Sequence, residues 1–405
     1  MKVLLVNDYA TPTAGAEIMT LTLRDALRSR GHDALVLASD AQLVPGTLFA
    51  DETCFGTTSR FQVLTSTFNV SARHVLARTI AEFAPDLVHV KMFLWQLSPS
   101  ILSALRHVPA VYHIVTYKPI CPNGRKTLPN GRSCETSPGA ACLLGGCLTA
   151  QSWVVMMAQN LLWRRSQIAF DRFVTISKVM QQRLEAEGVG PCEVIANGCP
   201  VRPARPMLSG DPIIAYAGRL SSEKGVDVLI NAFASTQRKV PDAALWIAGE
   251  GPEADELKQL ARRLGVYDRT VFMGSLNREE LERRFDDAWV QVVPSVWDEP
   301  FGIVAIEAMM RGTAVVASDG GGLRECVRHN KTGLLVPPMD ERGLAAAILR
   351  LASDRELCEE MGAAGRAVAM NEYTTDIYCD RMLALYEEIL APAQRVDLSV
   401  ETRNE

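Results

Sequence analysis

Short apolar runs alternate with stretches of helical spacing along almost the whole chain. Val3-Leu4-Leu5-Val6 is unbroken and ends in the polar pair Asn7-Asp8, the pattern of a strand buried in a parallel sheet. Ala16, Met19, Leu23, Ala26 and Leu27 then share one helical face, and Gly31 is placed to end that helix. Further strands are predicted at 34–38, 87–90, 110–115, 173–176 and 193–195. The stretch from Asn197 to Pro206 holds three prolines and no period, so it reads as a linker. The strand pattern restarts at 213–217 and continues at 245–248, 271–273, 290–293, 314–317 and 334–336. Between them, a helix with Leu257, Leu260, Ala261 and Leu264 on one face ends at Gly265. The predicted fold class is α/β: two Rossmann-like domains, 1–200 and 205–375, facing each other across a cleft. The polar tail after Pro392 reads as frayed.

Composition narrows the function. A length of 405 residues accommodates two cores, and 48% hydrophobic with 22% charged residues is ordinary for a globular protein. A net charge of −5 speaks against a nucleic-acid partner, while a few local cations still suffice for a diphosphate. The opening Met1 to Val6 turns polar too early for a signal peptide. The longest apolar run, 153–163, is broken by Gln159 and Asn160 and is too short to span a bilayer. Arg164 and Arg165 after it would suit peripheral contact with the inner face of a membrane, but a buried helix of the first domain is the preferred reading. Without a leader, ten cysteines point to a reducing, cytoplasmic setting where disulfides are a poor default.

In open α/β sheets, ligands bind beyond the carboxyl ends of strands, where helix N-termini present free N–H groups. Four turns of the second half carry fitting chemistry. Gly218-Arg219-Leu220-Ser221-Ser222-Glu223-Lys224-Gly225 places two cations where they can meet one anion, although such a pair alone is usually solvated surface. Gly249-Glu250-Gly251-Pro252-Glu253-Ala254 formally matches the dinucleotide fingerprint; Asp268 meets the expected acidic partner only loosely, and a plain tight turn explains it equally. The segment from Pro294 to Glu307 is the most informative. Pro300 suits the first turn of a helix, which puts Glu299 at its mouth and Glu307 about two turns further in. An acid on the otherwise apolar face of Ile303, Ile306 and Met310 is costly unless it meets a ligand or a buried donor. Ser318 to Glu325 is a fourth permissive turn, and Thr13-Ala14-Gly15-Ala16-Glu17 is its counterpart in the first domain.

With these motifs in order, the chain resembles glycosyltransferase family 4, retaining enzymes with the GT-B fold and nucleotide diphosphate sugar donors. The match is most specific from Gly218 to Pro338, above all in the Glu-x7-Glu pair. The resemblance implies catalytic roles for Arg219 and Lys224, which would neutralise the donor diphosphate, and for Glu299. Glu299 with the amides of Phe301, Gly302 and Ile303 would hold the donor sugar, and Glu307 the ribose. Gly218, the turn from Gly249 to Gly251, Met273 and Gly274 would line the donor pocket, and Gly15 would bring first-domain backbone to the diphosphate. No catalytic metal is expected, and the final helix, about 376–391, should return to the first domain. Many relatives carry two glycines where this chain has Ala14-Gly15 or Gly15-Ala16, and His-Asp where it has Val115-Thr116. His113 and Tyr117 are the candidates on the acceptor side; His113 either partly replaces the missing histidine or is a core residue.

Cys121, Cys134, Cys142 and Cys147 crowd a Gly/Pro-rich stretch that resembles a cysteine-bearing insertion of one family branch. No Cys-x2-Cys pair is present, so structural zinc, an iron–sulfur cluster, free thiols and disulfides all remain open; one structural zinc is the expectation. A nucleotide-sugar epimerase, an NAD-dependent oxidoreductase and a non-catalytic sugar-nucleotide binder are the rival functions. Sugar, base and acceptor are not legible.

Overall fold

A computed structural model describes the chain except residues 12–14, 43–45, 47, 130, 132 and 392–405. Thr13, Ala14 and the tail after Pro392 therefore lie outside the described residues. The first sheet contains β1 (Lys2–Tyr9), β2 (Asp33–Ser39), β3 (Glu52–Cys54), β4 (Leu87–Val90), β5 (Ala110–Ile114), β6 (Arg172–Thr175) and β7 (Cys192–Val194). All pairs are parallel, in the order β3-β2-β1-β4-β5-β6-β7. The second sheet contains β8 (Ile213–Ala217), β9 (Ala244–Ala248), β10 (Thr270–Gly274), β11 (Val290–Val293), β12 (Ala314–Ser318) and β13 (Gly333–Val336), in the parallel order β10-β9-β8-β11-β12-β13. Each sheet thus reverses direction once, between β1 and β4 and between β8 and β11. Those two crevices are where a doubly wound sheet receives ligands.

Strand β3 was not predicted, because three residues at an edge show no period. Strand β5 stops at Ile114, which leaves Val115 and Thr116 in the following loop. The linker and the returning chain run side by side: Cys199 N–H donates to Tyr373 O at 2.7 Å, and Thr375 N–H to Cys199 O at 3.0 Å. The last helix, Thr375–Leu390, then buries Tyr378, Cys379, Met382, Leu385 and Tyr386 with Val3, Leu5 and Leu23 of the first domain. Arg30 pairs with Asp376 and Asp380 along its outer edge.

One expectation fails. The helix Ala150–Ser166 is not a buried helix: it buries only Gln159 and Trp163, while Val154, Leu161 and Leu162 are exposed. Gln159, held by the backbone oxygens of Ser66 and Leu94, faces inward with Trp163 one turn on, and Val154, Leu161 and Leu162 are left on the outer face.

Candidate functional site

The residues expected on the donor side lie at the carboxyl ends of β8, β9 and β10 and on the loop and helix after β11. The turn after β8 and the turn after β9 lie against each other, with Gly218 N–H donating to Ala248 O at 3.0 Å and Leu220 N–H to Glu250 O at 2.9 Å. Gly249 has φ +142°, and a Cβ there would sit 1.8 Å from Gly218 O. Its lack of a side chain thus lets two loops touch; the dinucleotide-like spacing follows from packing between turns. Gly249 N–H also donates to Gly274 O at 2.7 Å, so Gly218, Gly249, Gly251, Met273 and Gly274 form one wall.

Lys224 and Glu299 meet although 75 residues separate them. Lys224 Nζ donates to Oε1 and Oε2 of Glu299 at 2.8 and 2.9 Å. Ser295 Oγ and Trp297 Nε1 donate to the same carboxylate at 2.9 and 2.7 Å. Burial opposes the charge of Glu299, but Lys224 and these hydrogen bonds outweigh it and hold the carboxyl below its usual range. Backbone fixes the residue too: Gly322 N–H donates to Glu299 O at 2.7 Å. Arg219 is exposed at the rim, and its guanidinium makes no ion pair among the described residues.

The helix after this loop is Ile303–Arg311, so it starts later than Pro300 suggests. Gly302 precedes it with φ +101°, and a Cβ there would meet Leu323 Cδ2 at 2.4 Å. Pro300 and Glu299 therefore belong to the loop, and Glu307 stands little more than one turn into the helix. The amides of Phe301, Gly302 and Ile303 remain outside the helix's own hydrogen bonding and converge at its N-terminus. The Phe301 ring is buried against Tyr373, which leaves its backbone as the group available to a ligand. Glu307 accepts a hydrogen bond from Arg278 at 2.7 Å; burial pushes its pKa up, opposed by Arg278 and Arg202.

The first domain contributes less than expected. His113 is fully buried between His89 and Tyr378, with neither ring nitrogen hydrogen-bonded, so the acceptor-side reading is corrected to a core residue under the returning helix. Burial also keeps it neutral by driving its pKa well down. Tyr117 is buried too, but its ring lies edge-on to Trp297 at 6.5 Å and its hydroxyl makes no hydrogen bond, which places it at the seam beside Glu299. Gly15 begins the helix Gly15–Ser29 at the β1 crevice, and a Cβ there would meet nothing within 4 Å.

Other residues at this seam escaped the sequence reading. Asp298 takes Arg183 from the first domain, Ser177 Oγ donates to Pro300 O at 2.7 Å, and Glu325 accepts the Lys178 and Val179 amides at 2.9 and 2.8 Å. At the β1/β4 crevice, Asp8 accepts the amides of Trp95, Gln96 and Leu97 at 2.7–3.0 Å. Burial pushes Asp8 up to about 6 and Glu17 up to about 7, and pulls Lys91 down to about 7. Polar residues directly after the apolar runs of β1 and β4 were the signal available for this cluster.

A pH dependence follows. Glu17 rises from 4.5 to about 7 on folding, so its contribution to stability is full below 4.5 and is lost as pH rises towards 7. The whole span corresponds to about 3 kcal/mol. Glu17→Gln is therefore expected to stabilise the first domain at pH 8 and change little at pH 4.5. Denaturant melts of both proteins at the two pH values check this; an equal effect at both would exclude ionisation as the cause.

Comparison with known proteins extends the geometry. A family model described as "Glycosyl transferases group 1" matches residues 202–368, and one described as "Glycosyl transferase 4-like domain" matches residues 14–198. An uncharacterized glycosyltransferase of Methanocaldococcus jannaschii is 41% identical over 144 residues, 36% of each chain. A GDP-mannose-dependent alpha-(1-6)-phosphatidylinositol monomannoside mannosyltransferase of Mycobacterium tuberculosis is 38% identical over 168 residues, 40% of this chain and 44% of the relative. The matched segments thus span less than half the length of these relatives. Sucrose-phosphate synthase of Thermosynechococcus elongatus shares the fold with a TM-score of 0.74 at 21% identity, covering 96% of this chain and 100% of that one. With a matching model on each domain and the paired sheets of that fold, the chain belongs to the family 4 glycosyltransferases of GT-B architecture.

Proposed function

We propose that this protein is a retaining glycosyltransferase that moves a sugar from a nucleoside diphosphate sugar to an acceptor hydroxyl or amine. The observation that carries the reading is the pairing of Lys224 with Glu299 at the β8/β11 crevice, beside the helix N-terminus that follows Phe301 to Ile303, with Arg219 exposed on the same turn as Lys224. As the bond between the anomeric carbon and the phosphate oxygen breaks, negative charge grows on the diphosphate. Two cations and a helix N-terminus oppose that charge without a metal. Glu299, held charged by Lys224, accepts hydrogen bonds from the sugar hydroxyls, and Glu307 does the same for the ribose. Retention follows from the family: the acceptor attacks on the face from which the diphosphate departs, and its proton passes to the departing phosphate oxygen. The GDP-mannose dependence named for one relative supports the donor class. A donor screen that reads out released nucleoside diphosphate, with the anomer of the product assigned by NMR, tests the reading. Nucleotide binding without transfer to any acceptor would favour a non-catalytic binder.

A second proposed contact, with a membrane surface, lies on the first domain at the N-terminal ends of β5 and β6. No helix of the described residues is long and apolar enough to cross a bilayer. Exposed Leu161 and Leu162 instead continue into Arg165 and Ile168, beside a groove that also presents Phe68, Arg73 and Arg106. Apolar side chains ringed by arginines fit the surface of an anionic bilayer. Vesicles of equimolar phosphatidylglycerol and phosphatidylcholine should co-sediment with the protein, and Leu161→Asp with Leu162→Asp should weaken binding by about tenfold or more. Equal sedimentation of wild type and variant would overturn this contact.

A further inference from the structure

Residues 121–148 follow β5 and build a small unit that the donor chemistry leaves unused. After Cys121 the chain turns tightly: Gly124 N–H donates to Cys121 O at 2.8 Å, and Lys126 N–H donates to the Cys121 sulfur at 3.3 Å. A bridge between Thr127 and Ser133 folds the chain back, and Cys134 N–H donates to Lys126 O at 2.8 Å. Cys121 and Cys134 thereby both flank Lys126 at the base of a hairpin. Cys142 lies in the short helix Ala140–Leu144, and Leu148 N–H returns to Cys142 O at 3.1 Å, which brings Cys147 back to it.

All four cysteines line one cavity, together with Ile120 and Pro122. The centre of a water-sized sphere has about 10 Å³ to move in there, room for a single atom and not for a metabolite. The unit has little core of its own. Its helix buries none of its residues, and Leu144 is 84% exposed. A loop of this length with so little apolar burial needs another source of order.

Its position gives that order a purpose. Lys126 Nζ anchors the hairpin to Glu187 at 2.7 Å on the first domain. Across the seam, Ser133 Oγ donates to Asp298 Oδ2 at 2.8 Å, and Arg125 stands 3.7 Å from Glu223. The hairpin therefore reaches the loop that carries Glu299.

We propose that Cys121, Cys134, Cys142 and Cys147 bind one structural zinc ion, which locks this unit and holds its hairpin against the second domain. Four sulfurs close a tetrahedral site and leave no position for catalysis. Among the described residues no three His, Cys, Asp or Glu side chains already stand as a metal-ligand group. Cys121 instead donates to Asn123 Oδ1 at 2.9 Å, and Cys134 pairs with Thr136 Oγ1 at 3.3 Å. Zinc binding displaces the thiol protons, frees the sulfurs from these partners and lets them turn onto the ion.

Protein expressed with added zinc chloride and purified under reducing conditions should carry about one zinc per chain, with four sulfurs at about 2.3 Å by X-ray absorption. Cys134→Ser and Cys147→Ser should each lower zinc affinity by about tenfold or more, while nucleotide binding by the second domain persists. Removing zinc from the wild type with a chelator should open 125–148 to proteolysis, and zinc chloride should restore protection. Negligible zinc in a wild type whose ten thiols all titrate, iron with inorganic sulfide in its place, or disulfide-linked peptides would overturn the assignment.

Discussion

Replacing Lys224 by alanine is expected to lower the rate of sugar transfer by about a hundredfold or more, and Arg219→Ala by a similar factor. On the proposed function, both cations oppose charge that grows only as the diphosphate leaves, so their loss falls on kcat more than on KM. Their settings differ. Arg219 is exposed and makes no ion pair among the described residues, so its removal subtracts a charge and leaves the crevice in place. Lys224 is also the counterion of Glu299, at 2.8 and 2.9 Å. Without it, burial raises the Glu299 carboxyl, and the residual activity of Lys224→Ala should decline at a higher pH than that of the wild type. Steady-state rates of nucleoside diphosphate release from pH 5 to 8 measure both effects. Near wild-type turnover in the two variants would remove these residues from the leaving-group site.

The two glutamates should separate in opposite directions. Glu299→Ala is expected to cut turnover by about a hundredfold, because it removes the sugar's charged acceptor and the partner that orients Lys224. Affinity for the nucleoside diphosphate alone should hold or increase, since the ammonium freed from Glu299 can pair with phosphate. Glu307→Ala should instead weaken nucleotide binding by about tenfold, the size of a lost hydrogen bond to a charged group. Arg278 then also loses its carboxylate, so Arg278→Ala is the control that tells a direct ribose contact from a loss of local order. Calorimetry with the nucleoside diphosphate and kinetics with the whole donor distinguish the two patterns. Equal losses of binding in both glutamate variants would contradict the division of roles.

Much of this architecture is legible from local pattern. Parallel strands buried on both faces must be short apolar runs, so β1, β4, β8 and β11 stand out. Three prolines without a period mark the linker, and the family resemblance carried by Glu299 and Glu307 points to the donor segment. Where a residue's partner lies far along the chain, local pattern is silent. Gly302 has a left-handed backbone beside Leu323, and that contact delays the helix which Pro300 alone would start. His113 alternates correctly for the cleft, yet the returning helix covers it with Tyr378.

Periodicity tells which face of an element is apolar but not what covers that face. The helix Ala150–Ser166 shows this: Gln159 finds two backbone acceptors inside, while Leu161 and Leu162 are left on the outer face. The residues able to carry charge, bind phosphate and bend the chain are set by the order of the amino acids. Packing between distant segments decides which of them meet: the Lys224–Glu299 pair needs β8 and β11 side by side in the second sheet, and the hairpin's contact with Asp298 exists only once the two domains share a seam.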